Sequence, residues 1–195
     1  MRVSRTQAEA NREAVINVAS RLFREHGFDG IGLKDLMKGA GLTQGGFYKQ
    51  FASKDDLAAQ AARRAIENAT RRWSTAAAAS SDPLAAIVAF YLSTGHRENK
   101  GEGCPLVALG SDAARQSADV RIPFEDGIRA HVQVLDELLE ETKSLQPSNK
   151  AMAMLSLMVG AVTLSRLVND ETLSQGFLDA AADEVRRIGD AKSGA

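Results

Sequence analysis

Residues 39–57, GAGLTQGGFYKQFASKDDL, decide how this chain folds and what its front end can touch. Just upstream, the run Leu33-Lys34-Asp35-Leu36-Met37-Lys38 puts Leu33, Leu36 and Met37 on one helical face. Gly41 can take the positive φ that ends a helix, and Thr43 is a suitable N-cap for the next one. The spacing predicts a helix, a short turn and a second helix from Gln44 to about Phe51. Such a helix-turn-helix offers its second helix to the DNA major groove.

The side chains of that second helix favour DNA over simple packing. Phe47 and Phe51, four residues apart, can both face a core while Gln44, Tyr48 and Lys49 point elsewhere. Gly45 and Gly46 each cost a helix roughly 1 kcal/mol against Ala, which argues that bulk is unwanted there, as where a backbone lies close to a duplex. Ser53 followed by Asp56 resembles a capping box and starts the next helix. Lys54, in its first turn, opposes the helix dipole, which a phosphate would offset. An ordinary helical corner with solvated Lys and Tyr has the same spacing.

Over residues 12–66 the chain resembles the N-terminal DNA-binding domain of the TetR family of bacterial transcriptional regulators. The matching pieces are Ala19-Ser20-Arg21-Leu22-Phe23, Glu25-His26-Gly27-Phe28, Asp35-Leu36, Ala40-Gly41-Leu42-Thr43, Gly46-Phe47-Tyr48 with Phe51, and Ser53-Lys54-Asp55-Asp56-Leu57. The resemblance implies that Thr43, Tyr48 and Lys54 contact backbone phosphates while Gln44, Gly45, Gly46 and Lys49 approach the bases. Lys34 and Gln50 complete the expected DNA-binding set. The chain departs from the family pattern at Ile31 and Gly32, where hydroxyl side chains are usual, and at Gln50, where His is common.

Composition agrees with a helical regulator. Four prolines in 195 residues, with no sustained alternation of apolar and polar positions, argue for an all-α protein. No apolar run is read as approaching the roughly 20 residues that cross a bilayer, and MRVSRTQAEANRE lacks a signal core, so the expectation is a cytoplasmic protein with no membrane contact. One cysteine and three scattered histidines (His26, His96, His131) make neither a disulfide framework nor a metal signature. Charge is uneven: residues 1–75 hold 13 Lys and Arg against 8 Asp and Glu, the remainder 11 against 17. A basic front end on an acidic remainder suits a chain that meets phosphate, and Arg2, Arg5 and Arg12 are candidates for a basic arm.

Caps and periodicity outline the rest. Thr6 with Glu9 can open a first helix burying Val15, Val18, Ala19, Leu22 and Phe23; a long helix from Ser53 runs through Leu57, Ala61, Ala65 and Trp73. Asp82-Pro83 starts a helix carrying Leu84, Ile87, Val88, Tyr91 and Leu92. Residues 95–103 read as a loop, a short helix follows Pro105, and a longer one spans Asp119 to Thr142 with Pro123 kinking or delaying its start. Ser148 caps a helix that is apolar on more than one face, and a last helix runs from Ser174 to Ile188, leaving 189–195 as a tail. Two such apolar helices per subunit would form a four-helix dimer interface, with Val162 and Ala181 as positions on it, and the resemblance implies the same.

Gly103-Cys104-Pro105-Leu106 is a second site of interest. Pro105 at the first helical position makes Cys104 the N-cap, where helix-terminal NH groups lower a thiol pKa, and His96, Arg97 and Lys100 precede it. GCPLVALGSD resembles a branch of the family with Gly-Cys-Leu or Gly-Cys-Pro before a short helix and usually Glu where Asp112 stands; some of its members sense reactive electrophiles or hypochlorite through the cysteine, and others bind small acids or drug-like ligands. Cys104, with Tyr91, is therefore the candidate ligand or redox sensor, against the plain reading of a buried packing residue.

Together these observations predict an N-terminal three-helix helix-turn-helix domain (1–52) and a C-terminal helical bundle for ligand binding and dimerisation (53–195). The expected function is a homodimeric repressor on a palindromic double-stranded DNA operator, released by a small-molecule inducer or a reactive electrophile. No catalytic residues and no cofactor are expected. A TetR-like protein-interaction adaptor without operator binding is the alternative.

Overall fold

The computed structural model describes residues 4–139 and 147–191. The elements in order are α1 (Arg5–His26), α2 (Leu33–Gly39), a 3-10 helix (Gln44–Lys49), α3 (Lys54–Ala78), α4 (Pro83–Tyr91), α5 (Thr94–Glu98), α6 (Pro105–Ala113), α7 (Ala118–Leu138), α8 (Asn149–Leu167) and α9 (Glu171–Asp190). There is no strand among the described residues, so the fold is all-α with the helix-turn-helix at its front.

Local chemistry sets most boundaries. Ser53 Oγ accepts from Asp56 N (3.0 Å) and Asp56 Oδ2 accepts from Ala52 N (2.9 Å), a reciprocal cap that starts α3. Asp82 Oδ1 accepts from Ala85 N ahead of Pro83, and Ser148 Oγ from Ala151 N, as the sequence suggests. Elsewhere the caps differ from expectation. Ser4, not Thr6, caps α1 through Gln7 N, and Asp170, not Ser174, caps α9 through Leu173 N. Ser174 is instead buried inside α9, donating to Ser165 O and accepting from Arg97 Nη1, both at 2.7 Å. The expected loop 95–103 contains α5, because Ser93 Oγ caps it at His96 N. Pro123 lies inside α7, whose start at Ala118 it does not delay. The expected end of that helix, Thr142, lies outside the described residues, as do Arg2 and the last part of the tail.

Two apolar cores share α3. The front core joins Val15, Ile16, Ala19 and Phe23 of α1 to Leu36, Met37, Phe47, Phe51 and Leu57, and α6 and α7 close it with Leu109, Ala113, Val120 and Phe124. The second surrounds Trp73, Tyr91, Leu135, Met154, Met158, Leu178 and Val185. Each fully buried large side chain contributes about 1.5–3 kcal/mol relative to exposure. Gly127 lets α7 lie against α3, since a Cβ there would stand 2.6 Å from Ile66 Cδ1.

The α8 segment corrects one reading of the sequence. Over nineteen residues it is long and apolar enough, by length and composition, to cross a membrane. In the fold it is instead the central helix of the C-terminal bundle, and Arg166 near its end donates to the carbonyls of Arg97 (2.8 Å) and His96 (3.0 Å).

Candidate nucleic-acid interface

The turn of the helix-turn-helix forms as its residues dictate. Gly41 has φ +71°, and the amides of Gly41 and Leu42 return to the carbonyls of Lys38 (2.9 Å) and Met37 (2.9 Å), ending α2. Gly32 opens α2 without a side-chain cap, and Ile31 is buried in the front core. The departure from the family's hydroxyl pattern therefore removes a cap and adds core.

The segment after Thr43 is tighter and shorter than the predicted helix to Phe51. It is a 3-10 helix ending at Lys49, with Gly46 N bonding to Thr43 O (3.1 Å) and Gln50 N to Phe47 O (2.9 Å). Two consecutive glycines weaken the α-helical ladder enough for the i→i+3 pattern to take over. Phe47 and Phe51 anchor it, their rings 5.4 Å apart in the core, with Arg12 lying over Phe51 at 5.1 Å.

Opposite that anchor lies a polar face. Thr43, Gln44, Gly45, Lys49 and Lys34 are exposed, and Tyr48 is 72% exposed. Thr43, although the N-cap, makes no capping bond with its hydroxyl. Gly46 and Lys54 are partly buried beside them. Gln50 falls away from the set: it is partly buried, and its Oε1 is enclosed without a partner, so it does not belong to the exposed face the sequence suggested. The glycines are not demanded by internal packing. A Cβ on Gly45 would meet nothing within 4 Å, and one on Gly46 only Met37 Cε at 3.8 Å.

The second candidate site comes out differently. Cys104 is the N-cap of α6 but makes no side-chain capping bond, and it is 3% exposed. Burial pushes its thiol pKa up, against the opposing pull of the Tyr91 hydroxyl, the α6 amides and Arg166. Of the expected cationic loop, Arg97 turns to Glu171 (2.8 Å) and Glu98 (3.1 Å), and His96 meets Cys104 as a neutral ring that accepts from its amide. The expectation of an activated thiolate is therefore corrected, because desolvation outweighs the helix amides. Maleimide should label the folded protein slowly near neutral pH and label it readily once denaturant exposes Cys104, a contrast that mass spectrometry reads directly.

Tyr91 sits against Cys104 in the second core, its hydroxyl enclosed without a well-formed hydrogen bond. The cavity between Tyr91, His96, Trp73 and Cys104 holds about 10 Å³, room for a water at most. His96 accepts at Nε2 from Cys104 N (2.9 Å), so Nδ1 carries the proton and donates to Tyr91 O (2.6 Å). His131 donates at Nδ1 to Gly127 O (2.6 Å), and its Nε2 has no partner.

Burial lowers the pKa of both histidines below the ordinary 6.5. The unfolded chain thus binds protons that the folded one refuses, and stability is full above about pH 6.5 and falls as pH drops below it. The thermal midpoint should decline from pH 7 to pH 5, and His131→Leu should flatten that decline; an unchanged acid limb would contradict the buried neutral imidazole.

Residues 15–61 match the family model described as bacterial regulatory proteins, tetR family. The chain is 26% identical over 168 residues to the HTH-type transcriptional regulator LmrA of Bacillus subtilis, covering 83% of this chain and 89% of that one. It is also 26% identical over 161 residues to the HTH-type transcriptional repressor NemR of Escherichia coli, covering 77% and 81%. Among solved structures, the reduced form of E. coli NemR superposes with a TM-score of 0.75 at 24% identity, covering 91% of this chain and 96% of that one. A TetR regulator from Chloroflexus aurantiacus gives 0.77 at 23%, covering 93% and 97%. These relatives are transcriptional regulators, not enzymes, and with the exposed helix-turn-helix face they lead to one conclusion: residues 15–61 form a DNA-binding domain of the kind found in bacterial regulatory proteins of the tetR family, on a chain similar over most of its length to helix-turn-helix transcriptional regulators.

Proposed function

We propose that the protein is a homodimeric repressor that holds a near-palindromic operator through two copies of the 3-10 helix and is released by a small-molecule inducer. The observation that supports operator contact most is the face of Thr43, Gln44, Gly45, Tyr48 and Lys49, anchored from behind by Phe47 and Phe51. Its Lys49, together with Lys34 and Lys54, has no carboxylate partner among the described residues. Cations left unpaired on one face are available to phosphate. Thr43, Tyr48 and Lys54 then take backbone phosphates, while Gln44 and Lys49 reach base edges across Gly45 and Gly46.

Dimerisation is supported by the outer sides of α8 and α9, where Leu164 (45% exposed), Leu167 (72%), Leu173 (52%) and Met152 (42%) remain uncovered in the protomer. A two-fold dimer sets two recognition elements about 34 Å apart, one turn of DNA. The inducer acts in the cytoplasm by favouring the spacing that fits DNA poorly. With Cys104 buried and its thiol protonated, a non-covalent ligand is the better reading than an electrophile. Binding to a panel of operator variants tests the face: Gln44→Ala and Lys49→Ala should change sequence preference, whereas Tyr48→Phe should weaken all sites alike. Retained affinity and preference in all three would sink the proposal.

A further inference from the structure

We infer that Arg12 is a positioning residue for operator binding: held within the protomer, it sets through two separate chains of contact the places of Tyr48 and Lys54, two of the side chains expected on phosphate. This rests on the operator-binding reading above and adds a residue that shapes the face without reaching the DNA. The sequence suggests Arg12 for a basic arm, but in the fold it is partly buried on α1. Its guanidinium carbon lies 5.1 Å from the centroid of the Phe51 ring, within reach of a cation–π contact. Its Nη2 donates to Gln60 Oε1 of α3 at 2.5 Å.

The aromatic chain leads to Tyr48. The Phe51 ring stands 5.4 Å from that of Phe47, and Phe47 meets Tyr48 edge-on at 5.1 Å. Phe47 and Phe51 are buried whereas Tyr48 is exposed. The ring that faces outward is thus seated on two inner rings, the farther of which Arg12 covers.

The polar chain leads to Lys54. Gln60 receives Arg12 on its carbonyl oxygen and so presents its amide nitrogen to the next group, donating to Asp56 Oδ1 at 2.6 Å. That holds the carboxylate with Oδ2 toward Ala52 N, 2.9 Å away, while Asp56 N donates to Ser53 Oγ at 3.0 Å. Both bonds close the turn between Phe51 and Lys54, the joint at which the 3-10 helix gives way to α3. The two long helices do not depend on Arg12 to stay together. Arg64 of α3 donates to Glu13 at 2.6 Å and also to Asn17, and the front core lies between α1 and α3. Loss of Arg12 therefore loosens the joint rather than the domain.

The test is operator titration by the full-length protein across a range of salt, at a temperature well below the melting point of every variant. Gln60→Leu breaks the polar chain without changing charge. It should weaken binding about tenfold and keep the parent's slope of log affinity against log salt, because no phosphate contact is removed. Arg12→Met breaks both chains and should weaken binding at least as much, again with the parent's slope. In a Lys54→Ala background Gln60→Leu should cost little, since the residue it positions is gone. Gln60→Leu binding as tightly as the parent would overturn the inference, as would an equal loss with and without Lys54. So would a slope lowered by about one for each contact in Arg12→Met, which would put Arg12 on a phosphate. Those outcomes leave the operator reading intact; a parent that binds no DNA would bring down both.

Discussion

Replacing Leu164 and Leu167 together by glutamate is expected to leave the protomer folded, convert the dimer to monomers and lower operator affinity by about 100-fold or more. Both side chains stand on the outer side of α8, so a charge there costs the protomer little. The dimer would have to bury it, and unpaired buried charge is strongly unfavourable. Each helix-turn-helix alone would keep its contacts but lose the second half-site. Sedimentation read beside a gel-shift titration checks both halves of the expectation. Val162 and Ala181, the positions the sequence pointed to, are 0% and 6% exposed within the protomer. Glutamate at either should unfold the bundle rather than split the dimer, and the contrast between the two pairs locates the interface.

Phe47→Ala should be the most damaging single change in the helix-turn-helix. The side chain is fully buried and touches Phe51 and Tyr48, with ring centroids 5.4 and 5.1 Å away. Removing a buried aromatic leaves a cavity and costs about 3–5 kcal/mol, visible as a lower thermal midpoint and a loss of operator binding. Gly45→Ala is the informative partner. Space around Gly45 is open, so the fold should tolerate a methyl group while the operator, brought close to that backbone, should not. A variant as stable as the parent but deficient in DNA binding would separate the two roles of this short element.

The turn, the anchoring phenylalanines and the Ser53 cap were legible because each is a local matter: a glycine that can adopt positive φ, a spacing of four, a serine ahead of an aspartate. Glycine pairs and buried hydroxyls were less readable. Gly45-Gly46 was seen to weaken a helix, yet the change to 3-10 geometry depends on how Phe47 and Phe51 seat in the core. Ser174 resembles a cap in sequence, but its hydroxyl is claimed by Arg97 and Ser165 from elsewhere in the chain. Cys104 shows the same limit. Its place at a helix start is legible, but its pKa follows from burial in the second core, which outweighs the hydrogen bond to Tyr91 and which no local motif encodes.

The central claim, that this face grips DNA through phosphate, is tested most directly by the salt dependence of operator binding. Affinity of the parent should fall about 10³–10⁵-fold between 50 and 200 mM salt if six to ten phosphate contacts form across the dimer. Lys54→Ala should bind more weakly at every sequence, with a shallower slope in log affinity against log salt, by about one for each contact removed. A slope near zero in the parent, or one identical in the variant, would contradict phosphate contact by Lys54 and the face it borders.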